Sequence, residues 1–196
     1  MNIHLDSELI KNYFNNKAES WNNNSVDGNK LDILFNKGSY FMNADILDIG
    51  CGTGILFDYY LNHNYKSITG IDISTKMIEV ASKKNAQANL ICGDAINYIY
   101  DKKFDVVVIF NSLPHISNVD LLLMNCKKHM HNNSKLIIAF DNNVNYINKI
   151  HDSVPSNISF KLPNIEELKN ICLKYFNVID STSNSDIYEI ICINRT

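Results

Sequence analysis

The sequence of 196 residues predicts one α/β domain built on a doubly wound, mostly parallel sheet of seven strands. Short apolar runs, each long enough for a buried strand, alternate with segments of helical periodicity, which is typical of a parallel sheet covered by helices on both faces. Two further strand segments then follow one another around a polar turn, which predicts a closing antiparallel pair. No repeat or linker interrupts this pattern, so we expect a single domain over residues 1–196.

The elements follow in a regular order along the chain. The expected strands cover 46–49, 67–72, 89–92, 104–110, 134–140, 176–180 and 187–193. Helices are expected over 6–20, 27–36 and 55–61, then over a segment that carries Met77, Ile78, Val80 and Ala81, and then over 118–131 and 164–175. Ser74 is a favourable N-cap for the fourth of these helices. The run 104–110 is apolar on both faces and therefore belongs in the middle of the sheet.

The most informative segment is ILDIGCGTG at 46–54, a strand that ends in three alternating glycines. A strand, a glycine loop and a helix together present free backbone N–H groups to a ligand. Dinucleotide enzymes need G-x-G-x-x-G, and the third glycine of that pattern falls on Ile55 here. The dinucleotide pattern therefore does not fit, although a glycine-rich turn without a ligand stays open.

An acidic residue, Asp48, stands two positions before the first glycine, Gly50. The pattern Asp-x-Gly-x-Gly-x-Gly resembles motif I of the class I S-adenosylmethionine-dependent methyltransferases, which have a Rossmann-like fold. The resemblance implies that S-adenosyl-L-methionine is the cofactor and that Asp48, Gly50 and Gly52 hold its methionine part.

The next two strands also end in acidic residues. A carboxylate at the end of the second strand, Asp72, can accept two hydrogen bonds from a ribose diol. The family resemblance implies this role for Asp72, contact of the neighbouring Ile73 with the cofactor, and contact of Asp94 and Ala95 with the adenine. The alternatives are a helix-entry aspartate at 72 and a simple Gly-Asp turn at 93–94.

The fourth strand runs into Asn111-Ser112-Leu113-Pro114. Methyltransferases that act on amino groups of DNA bases resemble one another in an Asn-Pro-Pro-Tyr or Asp-Pro-Pro-Tyr tetrad here, which this segment lacks. The segment is more similar to small-molecule methyltransferases, in which a strand-end residue contacts the cofactor and a nearby histidine faces the substrate. That similarity implies cofactor contact for Asn111 and a substrate-facing position for His115.

Three side chains that follow central strands are candidates for the substrate side, namely His115, Asp141 and His151. Loops after neighbouring central strands converge on one crevice, so His115 could take a proton from the acceptor while Asp141 orients it. A helix over 146–151 would place Asn148 and His151 on one face. Two histidines and a carboxylate could also bind a divalent metal, but we predict no metal site. A solvated histidine, or a capping role for Asp141, is the alternative.

The N-terminal segment YFNNKAESW at 13–21 is similar to the region that precedes the core in methyltransferases of ubiquinone and menaquinone biosynthesis. There it folds over the cofactor, which implies a helical lid over residues 1–25, with a break at 22–25, and cofactor contacts from Tyr13 and Trp21. An aromatic core patch is the alternative.

Composition narrows the possible partners. The net charge is −3 and Arg195 is the only arginine, so no electrostatic footprint for nucleic acid is present. The five cysteines form no C-x-x-C pair, and no signal peptide is recognised, which favours a reducing, cytoplasmic setting without zinc. No apolar run reaches the roughly 18 residues that a membrane span needs.

We therefore expect direct in-line methyl transfer from S-adenosylmethionine to a small, non-polymeric acceptor. Two alternatives stay open: a related module that binds the cofactor without turnover, and an NAD-type oxidoreductase, which Ile55 disfavours. The sequence predicts neither the acceptor atom nor the oligomeric state.

Overall fold

The computed structural model describes residues 5–21 and 25–195, and within them the seven strands and their order are as expected. The strands are β1 Asp45–Ile49, β2 Ser67–Asp72, β3 Asn89–Cys92, β4 Phe104–Phe110, β5 Met130–Phe140, β6 Asn177–Ser183 and β7 Tyr188–Ile193. The helices are α1 Ser7–Trp21, α2 Gly28–Leu34, α3 Phe57–Leu61, α4 Thr75–Lys84, α5 Val119–Lys128, α6 Val144–His151 and α7 Ile165–Cys172.

The strands form one sheet in the order β3-β2-β1-β4-β5-β7-β6. Four neighbouring pairs are parallel, whereas β7 runs antiparallel to both β5 and β6. The predicted mostly parallel sheet with one antiparallel strand near its edge is therefore confirmed. The chain order reverses at β1 and β4, whose carboxyl ends face the loops that follow Ile49 and Phe110.

Two apolar layers cover the sheet, one on each face. Alternating residues of β1 and β4 divide between them: Ile46 and Val108 belong to the layer under α2 and α3, and Leu47 and Ile109 to the layer under α5 and α7. Burial on both faces is the reason why β4 is an almost continuous apolar run.

Local capping fixes where the helices start. The Ser74 hydroxyl accepts from the Met77 N–H at 3.1 Å, which confirms the predicted cap of α4. α7 begins in a reciprocal capping box between Asn164 and Glu167.

Several helix boundaries differ from the sequence prediction; α2 ends at Leu34 and α7 at Cys172, two and three residues before the expected ends. α3 begins at Phe57 rather than Ile55, because turns continue from the glycine loop through Leu56. α5 ends at Lys128, because Met130 already pairs with Phe104 as the first residue of β5. Pairing between strands overrides helical periodicity at this boundary.

Among the described residues, no helix combines the length and the apolar character that crossing a membrane would require.

Glu189 on β7 is an acidic residue whose side chain is buried in the sheet. The side chain is 5% exposed and its Oε1 has no hydrogen-bond partner. Burial raises the pKa of Glu189 to about 8, and the charge of Asp180 adds to the shift. The folded protein therefore holds a proton on Glu189 that the unfolded chain releases near pH 4.5.

We expect Glu189→Gln to stabilise the protein at alkaline pH. A folded-state pKa above the unfolded value makes the free energy of unfolding fall between about pH 4.5 and 8, and the amide removes that loss. The gain near pH 8 should be on the order of 2–3 kcal/mol and should vanish near pH 4. Urea unfolding across this range measures it, with Glu166→Gln on the exposed face of α7 as the control. An equal gain at pH 4 and pH 8 would contradict the assignment.

Candidate active site

One large cavity lies at the carboxyl ends of the five parallel-paired strands β1 to β5. Its volume is about 590 Å³, within the range of roughly 300–1,000 Å³ that is usual for small-molecule sites. Eleven of the thirteen residues predicted to bind cofactor or substrate line it, namely Trp21, Gly50, Gly52, Asp72, Ile73, Asp94, Ala95, Asn111, His115, Asp141 and His151. Tyr13 and Asp48 do not.

The glycine loop, which follows the carboxyl end of β1, forms the floor of this cavity. Gly50, Gly52 and Gly54 all have positive φ angles, a conformation that side chains disfavour. The N–H groups of Gly50 and Cys51 donate to the Ile71 carbonyl at 2.8 and 3.1 Å, which fixes the loop against β2. A Cβ on Gly50 would lie 2.6 Å from Ser112 Cβ, whereas a Cβ on Gly52 would meet only open space.

Asp72 holds the loop as well as facing the cavity. Its Oδ2 accepts from the Gly52 N–H at 2.9 Å, and its Oδ1 accepts from the Ser74 N–H at 2.8 Å. Burial raises the pKa of Asp72 to about 6, and these two hydrogen bonds oppose that shift. The carboxylate therefore connects the loop to the start of α4, a role that the sequence pattern did not reveal.

Asp48 lies beneath the loop instead of in the cavity. It is 2% exposed, and its Oδ2 accepts from the Tyr60 hydroxyl at 3.3 Å. Burial raises the pKa of Asp48 to about 7, and the nearby charge of Asp72 contributes to the shift. Asp48 is therefore not among the residues that line the cavity, and its contact with the methionine part stays a prediction.

The ends of β3 and β4 supply further polar groups. Asp94 lines the cavity and accepts from the Ile96 N–H at 3.0 Å, which orders the turn that carries Ala95. Asn111 has a φ of 51°, and this left-handed conformation turns the chain at the end of β4. Its Nδ2 donates to Asp141 Oδ1 at 3.0 Å.

The helix α1 contributes side chains to one wall of the cavity. Ile10, Phe14 and Trp21 face the cavity, while Tyr13 packs edge-on against Phe14 and does not reach it. Asn15 Oδ1 accepts from the Ser74 hydroxyl at 2.8 Å and from the Lys76 N–H at 3.1 Å, which anchors α1 to α4. Of the segment predicted as a lid, residues 1–4 and 22–24, with most of the expected break, lie outside the described residues.

Two histidines meet at the opposite wall. His115 Nε2 lies 3.3 Å from His151 Nε2. His115 Nδ1 lies 3.1 Å from the Ile158 carbonyl oxygen, and His151 Nδ1 lies 2.8 Å from the Ile147 carbonyl oxygen. Burial lowers the pKa of His115 to about 4, so this ring is neutral at physiological pH.

The expected hydrogen bond from His115 to Asp141 is not formed. The ring is oriented by the Ile158 carbonyl, and Asp141 Oδ1 instead accepts from Asn111 and Asn142. Asp141 does not cap α6 either, because Asn143 is the N-cap. Asn148, predicted to share a face with His151, bonds to the backbone of Leu162.

The lining of the cavity combines acidic side chains with apolar ones. Its charged side chains are Asp72, Asp94 and Asp141, and no lysine or arginine lines it among residues 5–21 and 25–195. Its apolar walls include Phe14, Phe140 and the half-exposed side chains of Tyr146 and Ile150. The same part of the chain holds no group of three metal-ligating side chains.

Several contributors to this site had no recognisable sequence signal. Asn15, Ser112 and the Ile158 carbonyl act through contacts between distant parts of the chain. Phe14 was recognisable as part of an apolar helix face, but its edge-on contact with His115, at 4.7 Å between ring centroids, depends on the tertiary fold.

Comparison with known proteins finds a family match for part of the chain. Residues 47–138 match the family model described as a methyltransferase domain. The chain is similar to the malonyl-[acyl-carrier protein] O-methyltransferase of Priestia megaterium, with 34% identity over 122 residues, or 56% of this chain and 44% of that protein. It is also similar to the ubiquinone biosynthesis O-methyltransferase of Rickettsia akari, with 26% identity over 141 residues, or 67% of this chain and 56% of that protein.

These matches span about half the length of the curated relatives. Among solved structures, the N-methyltransferase NodS of Bradyrhizobium japonicum, in complex with S-adenosyl-L-homocysteine, superimposes with a TM-score of 0.69 and 14% identity, covering all of both chains. The methyltransferase resemblance predicted from the glycine loop is therefore confirmed, by the family match for residues 47–138 and by the fold for the whole sheet.

We expect Gly50→Ala to destabilise the protein more than Gly52→Ala. Both substitutions force alanine into a left-handed conformation, which costs about 1–2 kcal/mol. Only alanine at position 50 also clashes with Ser112, and overpacking of this kind adds about 1–3 kcal/mol. Urea unfolding of the two variants measures the difference. Equal losses of stability would show that Ser112 moves aside.

Proposed function

We propose that this protein, whose residues 47–138 match the methyltransferase domain family, transfers a methyl group from S-adenosylmethionine to a hydroxyl group of a small, uncharged acceptor. The observation that carries the proposal is the arrangement of the cavity of about 590 Å³. Carboxylates at the ends of β2 and β3 line one part of it, and a neutral histidine that follows β4 lines another.

The residues at the carboxyl ends of β1 to β3 fit the cofactor. Asp72 lies at the end of β2 and lines the cavity, as a partner for two ribose hydroxyls must. Gly52 leaves open space above the loop, where a ligand can approach the backbone. Ile73, Asp94, Ala95 and Asn111 would complete the contacts with the nucleoside and the methionine part. The bound cofactor supplies a methyl carbon on a positively charged sulfur, which is already electrophilic.

The protein's task is then mainly one of positioning. Aligning the acceptor with the methyl carbon can contribute about 7–11 kcal/mol to lowering the barrier. The helix α1 covers the cavity with Phe14 and Trp21 and limits the access of water. His115 presents a neutral imidazole toward the same space and can accept the acceptor's proton.

The lining of the cavity supports an acceptor without anionic groups. A phosphate or carboxylate would face Asp72, Asp94 and Asp141, and no lysine or arginine among the described lining residues would offset the repulsion. The apolar surfaces of Phe140, Tyr146 and Ile150 suit a flat or hydrocarbon body. Two of the relatives are named O-methyltransferases, which supports oxygen as the methylated atom.

Other readings of the site have less support. An NAD-type oxidoreductase would need the third glycine of its loop at Ile55, and no observation favours a module without turnover. No lysine or arginine lines the cavity in the part of the chain that the structure describes, which argues against a polyanionic substrate such as a nucleic acid. We place the protein in a reducing, cytoplasmic setting on the strength of its five free cysteines.

Binding and turnover can be tested separately. Thermal unfolding with S-adenosylhomocysteine or NAD shows which of the two ligands stabilises the fold, and we expect only S-adenosylhomocysteine to do so. Transfer of a labelled methyl group is then followed with neutral phenols and alcohols, with carboxylated analogues of each as matched acceptors. Faster transfer to the carboxylated analogues, or to bulk RNA, DNA or protein, would overturn the acceptor assignment.

We expect Asp72→Ala to weaken binding of S-adenosylhomocysteine by about 1.5–3 kcal/mol, because two hydrogen bonds to a charged group are lost. Titration calorimetry measures the change, and the exposed Asp58→Ala on α3 is the control. The substitution also removes the bonds to the Gly52 and Ser74 N–H groups, so urea unfolding must show that the variant is folded at the assay temperature. Unchanged affinity in a folded variant would refute the role of Asp72.

We expect His115→Ala to lower kcat by about 10²–10⁴-fold, the range for loss of a general base, while the affinity for S-adenosylhomocysteine stays the same. The exposed His131, at the opposite end of β5, offers His131→Ala as the control. Steady-state kinetics and calorimetry together separate catalysis from cofactor binding. Full turnover of the variant at every pH would remove His115 from the mechanism.

A further inference from the structure

The hydrogen bonds of His115 and His151 determine how many protons the two imidazole rings carry. A carbonyl oxygen can only accept, so each Nδ1 must carry a proton to bond to the Ile158 or Ile147 carbonyl. In two neutral rings, both Nε2 atoms then carry lone pairs. The Nε2–Nε2 separation of 3.3 Å becomes a hydrogen bond only when one additional proton lies between the rings.

The surroundings favour one such proton and disfavour two. Phe14 packs edge-on against His115, which removes water from that side of the ring. A second proton would place two cationic rings in direct contact, and a charged His151 is one of the causes that lower the pKa of His115.

No described carboxylate is hydrogen-bonded to either ring to offset such a charge. The titratable groups that share the cavity with the pair, from α6, the glycine loop and the strand ends, are Cys51, Asp72, Asp94, Asp141 and Tyr146, and α1 contributes none to the lining. Asp141 itself is occupied by Asn111 and Asn142.

We propose that His115 and His151 act as one base that takes up a single proton and shares it between their Nε2 atoms. His115 receives the proton from the acceptor, and His151 is the positioning residue that keeps it in place. The sharing of the proton depends only on the two rings and their carbonyl partners. Its catalytic use rests on the methyl transfer proposed above.

The proton and electron balance of the step is complete. As an oxygen lone pair of the acceptor forms the new bond to the methyl carbon, the electrons of the carbon–sulfur bond stay on sulfur, which becomes neutral. The hydroxyl proton moves to His115 Nε2 and is held by the Nε2 lone pair of His151. Solvent removes it from the pair after the methylated product leaves.

The same two lone pairs could also ligate a metal ion, because metal-bound histidines often donate the other ring N–H to a carbonyl. A metal site needs further protein ligands, and the described residues hold no group of three. The geometry therefore favours a proton as the shared ion, and titration with Zn²⁺ tests the alternative directly.

Nitrogen NMR of ¹⁵N-histidine-labelled protein tests proton sharing without any assay of activity. At high pH, we expect both rings of the pair to carry the proton on Nδ1 and none on Nε2. On acidification, both Nε2 signals should move with one common midpoint. In His151→Phe, the midpoint of His115 should fall by about one pH unit or more, because a neutral His151 accepts from protonated His115 and that hydrogen bond is lost.

Three results would overturn this part of the proposal. The first is a proton on Nε2 of either ring at high pH. The second is a His115 midpoint that does not change in His151→Phe. The third is stoichiometric Zn²⁺ binding by the wild type that shifts both Nε2 signals and disappears in His151→Phe.

Kinetics tests the catalytic use of the pair. His151→Phe should lower kcat about tenfold or more and move the acid limb of the kcat profile to lower pH, with the KM of the cofactor unchanged. His151→Gln should retain more activity, because its side-chain oxygen can accept from protonated His115. His131→Gln should match the wild type.

The outcomes separate the two proposals. If NMR shows the shared proton but His151→Phe has a normal kcat and pH profile, the catalytic use of the pair is wrong. If the wild type binds S-adenosylhomocysteine but methylates none of the acceptors, the proposed function fails while the shared proton still stands.

Discussion

The hydrogen-bonded Asp72 carboxylate is the interaction on which the rest of the site depends. It accepts from the N–H of Gly52 in the loop and from the N–H of Ser74 at the start of α4. Ser74 in turn donates its hydroxyl to Asn15 of α1. One side chain thereby links the floor of the cavity, the helix beside it and the helix that covers it. Loss of this carboxylate would affect all three elements at once, although only its position at a strand end is visible in the sequence.

Burial acts in opposite directions on the two kinds of ionisable group in the cavity. It raises the pKa of Asp72 to about 6 and lowers the pKa of His115 to about 4, so desolvation disfavours the charged form of each. The carboxylate keeps its charge near neutral pH with the help of two backbone N–H donors. His115 stays neutral because it has only a carbonyl and a second imidazole as partners. The cavity therefore holds carboxylate and imidazole groups that accept hydrogen bonds, but no fixed positive charge among its described residues.

The sequence predicts most of the fold because its signals are local. The apolar runs, the glycine loop and the cap at Ser74 each depend on a few neighbouring residues, and the order of seven strands follows from them. The site is less predictable where a partner is distant in sequence. The carbonyl that orients His115 belongs to Ile158, 43 residues further along, and no residue type marks a carbonyl acceptor. Asp141 was a reasonable partner by position, but the nearer amides of Asn111 and Asn142 compete for its oxygen.

The helix α1 couples the two halves of the cavity. On one side, Asn15 bonds to the start of α4, next to Asp72. On the opposite side, Phe14 packs on His115, and the Asp6 N–H donates to the Asn157 carbonyl beside Ile158. A small apolar cluster joins these ends, since Leu5 and Ile10 of the N-terminal segment pack with Ile158 and against Ile73.

Any displacement of α1 would therefore expose His115 to water and also release a contact at the end of β2. Water around His115 would remove the desolvation that keeps its ring neutral. The position of α1 thus determines both how the cavity is covered beside Asp72 and how strongly His115 binds a proton. The residues that precede β1 therefore belong to the site as much as the glycine loop does.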